Sequence, residues 1–134
     1  MALTAQTFLP AQAAAGAAVA TLLGVATDIA GTGNAVQRVT LVPPSGYTTV
    51  TGVATNNVTF ALRQWRAGAL IATVGTVTLT AGNNLVANTP LALTVTAGSL
   101  TAGDVLDVLM TQNGTGLAVG AGVLAVAESN FTSR

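Results

Sequence analysis

The chain has 134 residues, 51% hydrophobic but only 6% charged and 4% aromatic, with a formal net charge of +0 and neither Cys nor His. The usual ligands of zinc, haem and iron–sulfur sites are therefore missing, as are cysteine nucleophiles, disulfide scaffolds and histidine general bases. With no lysine and only scattered arginines there is no basic footprint for nucleic acid and no Gly-Lys-Ser/Thr phosphate loop.

Low charge with positive mean hydropathy is the reverse of a disordered composition, so a folded domain is expected. Residues 1–35 form a first region. Its Ala-rich centre, Pro10 to Ala20, reads either as a short helix interrupted by Gly16 or as an extended N-terminal arm. Residues 21–29 contain a strand signal, and Gly31-Thr32-Gly33-Asn34 a turn. From Val36 onward, in a second region spanning 36–134, apolar residues recur with period two. Strands are predicted over 36–42 and 47–53, separated by the rigid turn Pro43-Pro44-Ser45-Gly46. Asn56-Asn57 then turns into 58–66, where Val58, Phe60 and Leu62 face one way and Thr59, Arg63 and Trp65 the other.

Ala67-Gly68 is the next turn, followed by a long β-branched run over 69–80 with a bulge expected near Gly75. Ala81-Gly82-Asn83-Asn84 turns again. Pro90 opens an edge strand over 91–96, and Gly98-Ser99 and Ala102-Gly103 mark further turns. A strand over 104–112 puts Val105, Asp107 and Leu109 opposite Leu106, Val108 and Met110. Asn113-Gly114 is a tight-turn signal, 122–128 the last strand, and 129–134 a polar tail. Seven or eight short strands at this spacing imply an all-β antiparallel sandwich, jelly-roll-like, with the extended N-terminal segment before it.

Chemistry-bearing residues are few. Asp104 and Asp107, three apart on a strand, face opposite sides and form no glycosidase pair; they read as a turn-capping and a solvated carboxylate. No run is dense enough in oxygen ligands for calcium. No cofactor, metal or catalytic residue is expected. The tetrapeptide Arg63-Gln64-Trp65-Arg66 holds the single Trp. Three readings stay open for it: a solvent-facing strand end, an interface anchor through Arg63, Trp65 and Arg66, and a base-stacking platform. Arg63 and Trp65 share a face, which permits a cation–π contact. Three Asn-X-Thr matches, at Asn57, Asn113 and Asn130, carry little weight in a Thr-rich chain.

Residues 1–27 carry no charge and are long enough to span a bilayer, but they are Ala/Gly/Thr-rich, contain Pro10 and lack a basic flank. They also lack the basic start of a signal peptide. Neither a membrane nor nucleic acid is expected as a partner, and synthesis is expected in a cytoplasm. A core of mostly Ala and Val is thin, because an Ala side chain buries little area at about 25 cal/mol per Å². With no net charge to oppose association, the chain reads as a subunit of an assembly.

The texture of the whole chain resembles the capsid decoration (cement) and head-fibre proteins of tailed bacteriophages. The Ala/Thr-rich arm over 1–30, the strand Phe60 to Arg66, the stretch Leu100-Thr101-Ala102-Gly103-Asp104-Val105-Leu106 and the loop Asn113-Gly114-Thr115-Gly116-Leu117 carry that likeness. The resemblance implies a β-rich structural virion protein, often a homotrimer, that sits on the capsid surface and bridges major capsid protein subunits. It implies no catalytic residues. On this reading Phe8, Leu9 and Pro10 lie in the arm's contact, and a chain lacking residues 1–20 keeps a folded β domain without binding. A carbohydrate- or receptor-binding module of a phage fibre is the competing class, with a tail-tube subunit as a nearby structural one.

Overall fold

A computed structural model of the chain describes residues 2–25, 35–96 and 99–130. Among these, nine strands and no helix form two antiparallel sheets packed face to face. The strands are β1 (Ala2–Phe8), β2 (Val19–Val25), β3 (Ala35–Val42), β4 (Val58–Arg66), β5 (Ala69–Thr78), β6 (Leu91–Ala92), β7 (Thr94–Val95), β8 (Val105–Gln112) and β9 (Leu124–Asn130). One sheet has the order β1-β9-β3-β6 and the other β2-β8-β4-β5-β7.

This order is that of a jelly roll. The pairs β4–β5, β3–β6, β2–β8 and β1–β9 are nested like the rungs of one long hairpin, which is then rolled so that its rungs fall into two sheets. The tip of that hairpin is Ala67-Gly68, both at positive φ (51° and 80°). Two consecutive left-handed residues make the tight turn whose twist matches the flanking strands. β6 and β7 are two halves of one strand that changes sheets at the buried Leu93: β6 pairs with β3, β7 with β5. One side of the sandwich is thereby closed. On the other side β1 and β2 are the outermost strands, and they approach so tightly that a Cβ on Gly24 would lie 3.1 Å from that of Ala5.

Alternation positions the core. Val58, Phe60 and Leu62 of β4 point inward with Gln64, and Leu106, Val108 and Met110 of β8 meet them, all at most 5% exposed. β3 breaks the period once: a register shift at Gln37 lets both Val36 and Val39 turn inward. The expected bulge in β5 falls at Val74, next to Gly75, where the register to β4 slips by one residue. Each buried Leu, Val or Phe contributes roughly 1.5–3 kcal/mol.

Two expectations are corrected. Residues 47–53 do not form a strand; only Val50 bridges to Leu85, with reciprocal hydrogen bonds of 3.0 Å. The segment's backbone is satisfied by a loop instead of a ladder: Val53 N–H donates to Leu79 O, and Gly52 N–H to the Asn84 side chain. Gly52 lies so close to the carbonyls of Thr80 and Asn83 that a Cβ there would collide with them. Residues 2–25, open to either a helix or an extended arm, hold no helix, and their strands β1 and β2 are laid one into each sheet instead of leaving them. Leu9 is 2% exposed, so removing residues 1–20 takes away β1, the start of β2 and part of the core, and a folded remainder is no longer expected. The turn at 31–34, Asp28, the residues before Ser99 at 97–98 and the tail after 130 lie outside the described residues, as does the third Asn-X-Thr match beyond Asn130.

Candidate functional site

The tetrapeptide 63–66 sits at the end of β4, beside the start of β8, and its charges are resolved into two ion pairs on opposite faces of one sheet. Arg63 points outward. Its Nε and Nη2 donate to the two oxygens of Asp107, at 2.8 and 2.6 Å, in a two-pronged pair. Its guanidinium also lies 4.9 Å from the centre of the Trp65 ring, so the expected cation–π contact is present. The indole Nε1 of Trp65 is shielded and has no acceptor, a desolvation cost of about 1–3 kcal/mol.

Asp104 faces the interior and is fully buried. Arg66 Nε donates to its Oδ1 at 2.8 Å, and Arg66 Nη2, Gln64 Nε2 and the Thr101 N–H donate to its Oδ2 at 2.9, 2.7 and 2.8 Å. Those bonds, led by Arg66 and opposed by burial, hold its carboxyl at about 2, below the ordinary 3.8. Gln64 also donates to Ser99 O at 2.9 Å. The cluster ties the loop between β7 and β8 to β4 and closes this end of the core.

Asp104 is thus a turn cap, as expected, and an ion-pair partner as well. Asp107 is a correction: it is 6% exposed, covered by Arg63, where a solvated carboxylate was predicted. The two pairings were findable. Arg63 and Arg66 have the same spacing as Asp104 and Asp107, and an antiparallel ladder that sets Arg63 against Asp107 brings Arg66 to Asp104.

The predicted interface residues fall into two separate groups. Arg63, Trp65 and Arg66 lie at this charged end. Phe8, Leu9 and Pro10 lie at the opposite end, where β1 stops: Phe8 is 68% exposed, Pro10 is exposed, and Leu9 is in the core. Leu9 is therefore a packing residue whose N–H donates to Val123 O.

That opposite end is built from the four loops 9–18, 43–57, 79–90 and 113–123, which contain no charged residue. Amides hold them together. Gln12, 4% exposed, donates to Ala17 O and Met110 O and accepts from Gln112 Nε2. Asn57 and Asn113 bond to each other and to neighbouring backbone and Thr59, so the side chains of two Asn-X-Thr matches are structural. A groove of about 760 Å³ runs between Pro44–Thr51 and the loop at 117–121. Tyr47 forms part of its wall, its hydroxyl donating to Gly120 O at 3.0 Å, and burial pushes its pKa up.

Among the described residues every charged side chain is paired, the third pair being Arg38–Glu128 at 3.3 Å. No group of three or more His, Cys, Asp or Glu is gathered there where a metal ion could sit. Comparison of the chain with protein-family models, with curated proteins and with solved structures yields no match.

Proposed function

We propose that the chain is a non-catalytic structural subunit of a virion, which decorates a phage capsid and stabilises it by bridging major capsid protein subunits. The observation that carries this reading is the charge-free end. Four loops converge on one end of the sandwich, offer shape and backbone without charge, and leave Phe8 exposed at their rim. Such a surface suits docking onto another protein's folded surface, where apolar contact and backbone complementarity decide affinity. The paired charges support the same reading, because an Arg-bound carboxylate is a poor acid or base at neutral pH. The jelly-roll architecture is shared by viral capsid and lectin domains, so it agrees with a virion role by analogy only. Many copies acting together keep attachment firm even where each contact is weak.

The test is co-sedimentation with capsids assembled from the major head protein encoded in the same genome. Stoichiometric co-migration that falls at least tenfold in Phe8→Asp supports the reading. Absence of the wild-type chain from the capsid fraction overturns it.

The groove beside Tyr47 favours one second reading. Its size is within the usual range for small ligands, and Ser45, Thr48, Thr49 and Thr51 line it with hydroxyls. A neutral glycan is the ligand class that such a lining would take. A reproducible glycan-array signal, lost on Tyr47→Ala, would favour a fibre-type binding module.

A further inference from the structure

The outer face of the five-stranded sheet differs from the rest of the surface. Registers place Leu22 beside Asp107 and Val25 beside Val105 on β8, and Leu70 beside Trp65 on β4. Ile71 is the extra residue of a second bulge in β5, next to Leu70. Leu22, Val25, Leu70 and Ile71 are 70%, 61%, 48% and 43% exposed, so four of the seven large exposed hydrophobics among the described residues gather around Trp65. In their midst lies the Arg63–Asp107 pair, and no other charged residue of β2, β4, β5, β7 or β8 is on this face, Arg66 being turned to Asp104.

We propose that this face is a homotypic interface, in which two copies of the chain stack sheet against sheet about a two-fold axis passing between Arg63 and Asp107. Charge arrangement selects the partner. Among the described residues the two charges of the face cancel each other, so a charged partner surface gains nothing from it. A second copy is self-complementary: a two-fold axis lying in the contact plane between the pair sets the two Arg63–Asp107 pairs head to tail against each other, while each apolar flank meets an apolar flank. That is the rule of an isologous contact, in which residue i meets j and j meets i, and it closes at two copies. A central Trp and Arg inside an apolar ring is also the composition of an interface hot spot. The inference gives the proposed structural subunit a specific assembly form, a dimer in place of the trimer that the resemblance implies. It uses a different surface from the charge-free end, so the two readings fail separately.

Trp65 is the chain's single Trp and reports directly on this face. The experiment is light scattering coupled to size exclusion, with Trp emission and iodide quenching followed across the same dilution series. The wild-type chain is expected at twice the monomer mass, falling to the monomer mass on dilution, with a red shift and a rise in iodide quenching in step. Leu22→Glu combined with Ile71→Glu, both at exposed positions, is expected to be monomeric with an unchanged thermal melt. A wild-type chain that stays monomeric, a trimer whose Trp65 is as accessible as in the monomer, or a dimer untouched by the double variant would each overturn the proposal. The wild-type dilution series decides even if the double variant fails to fold.

Discussion

At one end of the sandwich the start of β8 and the end of β4 bring Arg63, Arg66, Asp104 and Asp107 together; at the other, four loops hold their shape with no charge at all. The core is not the thin Ala/Val one that composition suggests, since Leu and Val predominate in it with Phe60 and Met110. Both ends face the same physical task of closing it while leaving few buried polar groups without a partner. The charged end does so with few, strong, convergent bonds: one carboxylate, Asp104, takes four donors from two segments, β4 and the loop before β8. The neutral end spreads the same work over amides that each join two segments, such as Gln12, Asn57 and Gln112. The difference shows why so few charges suffice. Among the described residues the charges are concentrated at one end, and the four loops of the other end carry none.

The comparison breaks most sharply at Asp104. Asp104→Ala removes the common acceptor and leaves the Gln64 amide and the Thr101 N–H buried without it, so an urea melt should lose about 3 kcal/mol. The same residue gives the chain its acid sensitivity. Its carboxyl sits at about 2 in the folded chain against 3.8 ordinarily. A depressed acid contributes stability that is fully present above the ordinary value and is lost as pH falls towards the folded one. Stability on the order of 2 kcal/mol should therefore disappear between roughly pH 4 and pH 2 in the wild type. In Asp104→Asn that part of the pH dependence should be absent.

At the neutral end the corresponding break is Gln12→Ala. It leaves the Met110 and Ala17 carbonyls without their donor and Gln112 without one acceptor. The loss should be about 1–3 kcal/mol, and it should not vary with pH in the acid range, because no titrating group is involved. Thermal melts of Gln12→Ala and Asp104→Ala at two pH values separate the two ends by that dependence alone.

What could be read in advance follows the same division. β4 and β8 were legible as strands because large apolar residues recur at every second position, Val58, Phe60 and Leu62, then Leu106, Val108 and Met110, even though Trp65, Val105 and Leu109 make part of the other face apolar too. The Ala67-Gly68 and Asn113-Gly114 turns were legible because few residues accept positive φ. β1 was not, and β2 only as a strand signal over 21–29, since Ala and Thr suit either face and either conformation, and only their partners β9 and β8 decide their place. Residues 47–53 misled for the opposite reason. Their Thr/Val content favours a strand, yet Gly52 lets them run so close to the 79–84 loop that the loop takes their hydrogen bonds. At the charged end the cation–π contact followed from spacing within one strand. The ion pairs needed β4 and β8 to be aligned, which no single strand reveals.

The sharpest control on the comparison is the smallest effect. Arg38 and Glu128 are also at the charged end and also form an ion pair, at 3.3 Å, but their side chains are 70% and 38% exposed. Water screens such a pair and ordering two long side chains costs entropy, so Arg38→Ala should change stability by less than about 1 kcal/mol. The small change should shrink further when salt is raised, because exposed charges are the ones that ions screen. The Asp104 carboxylate, itself buried beside the buried Gln64 amide, should keep most of its contribution at the same salt. If Arg38→Ala cost as much as Asp104→Ala, the charge at this end would matter wherever it stands. The expected gap between them places the effect in burial and convergence, which Arg38 lacks and Asp104 has.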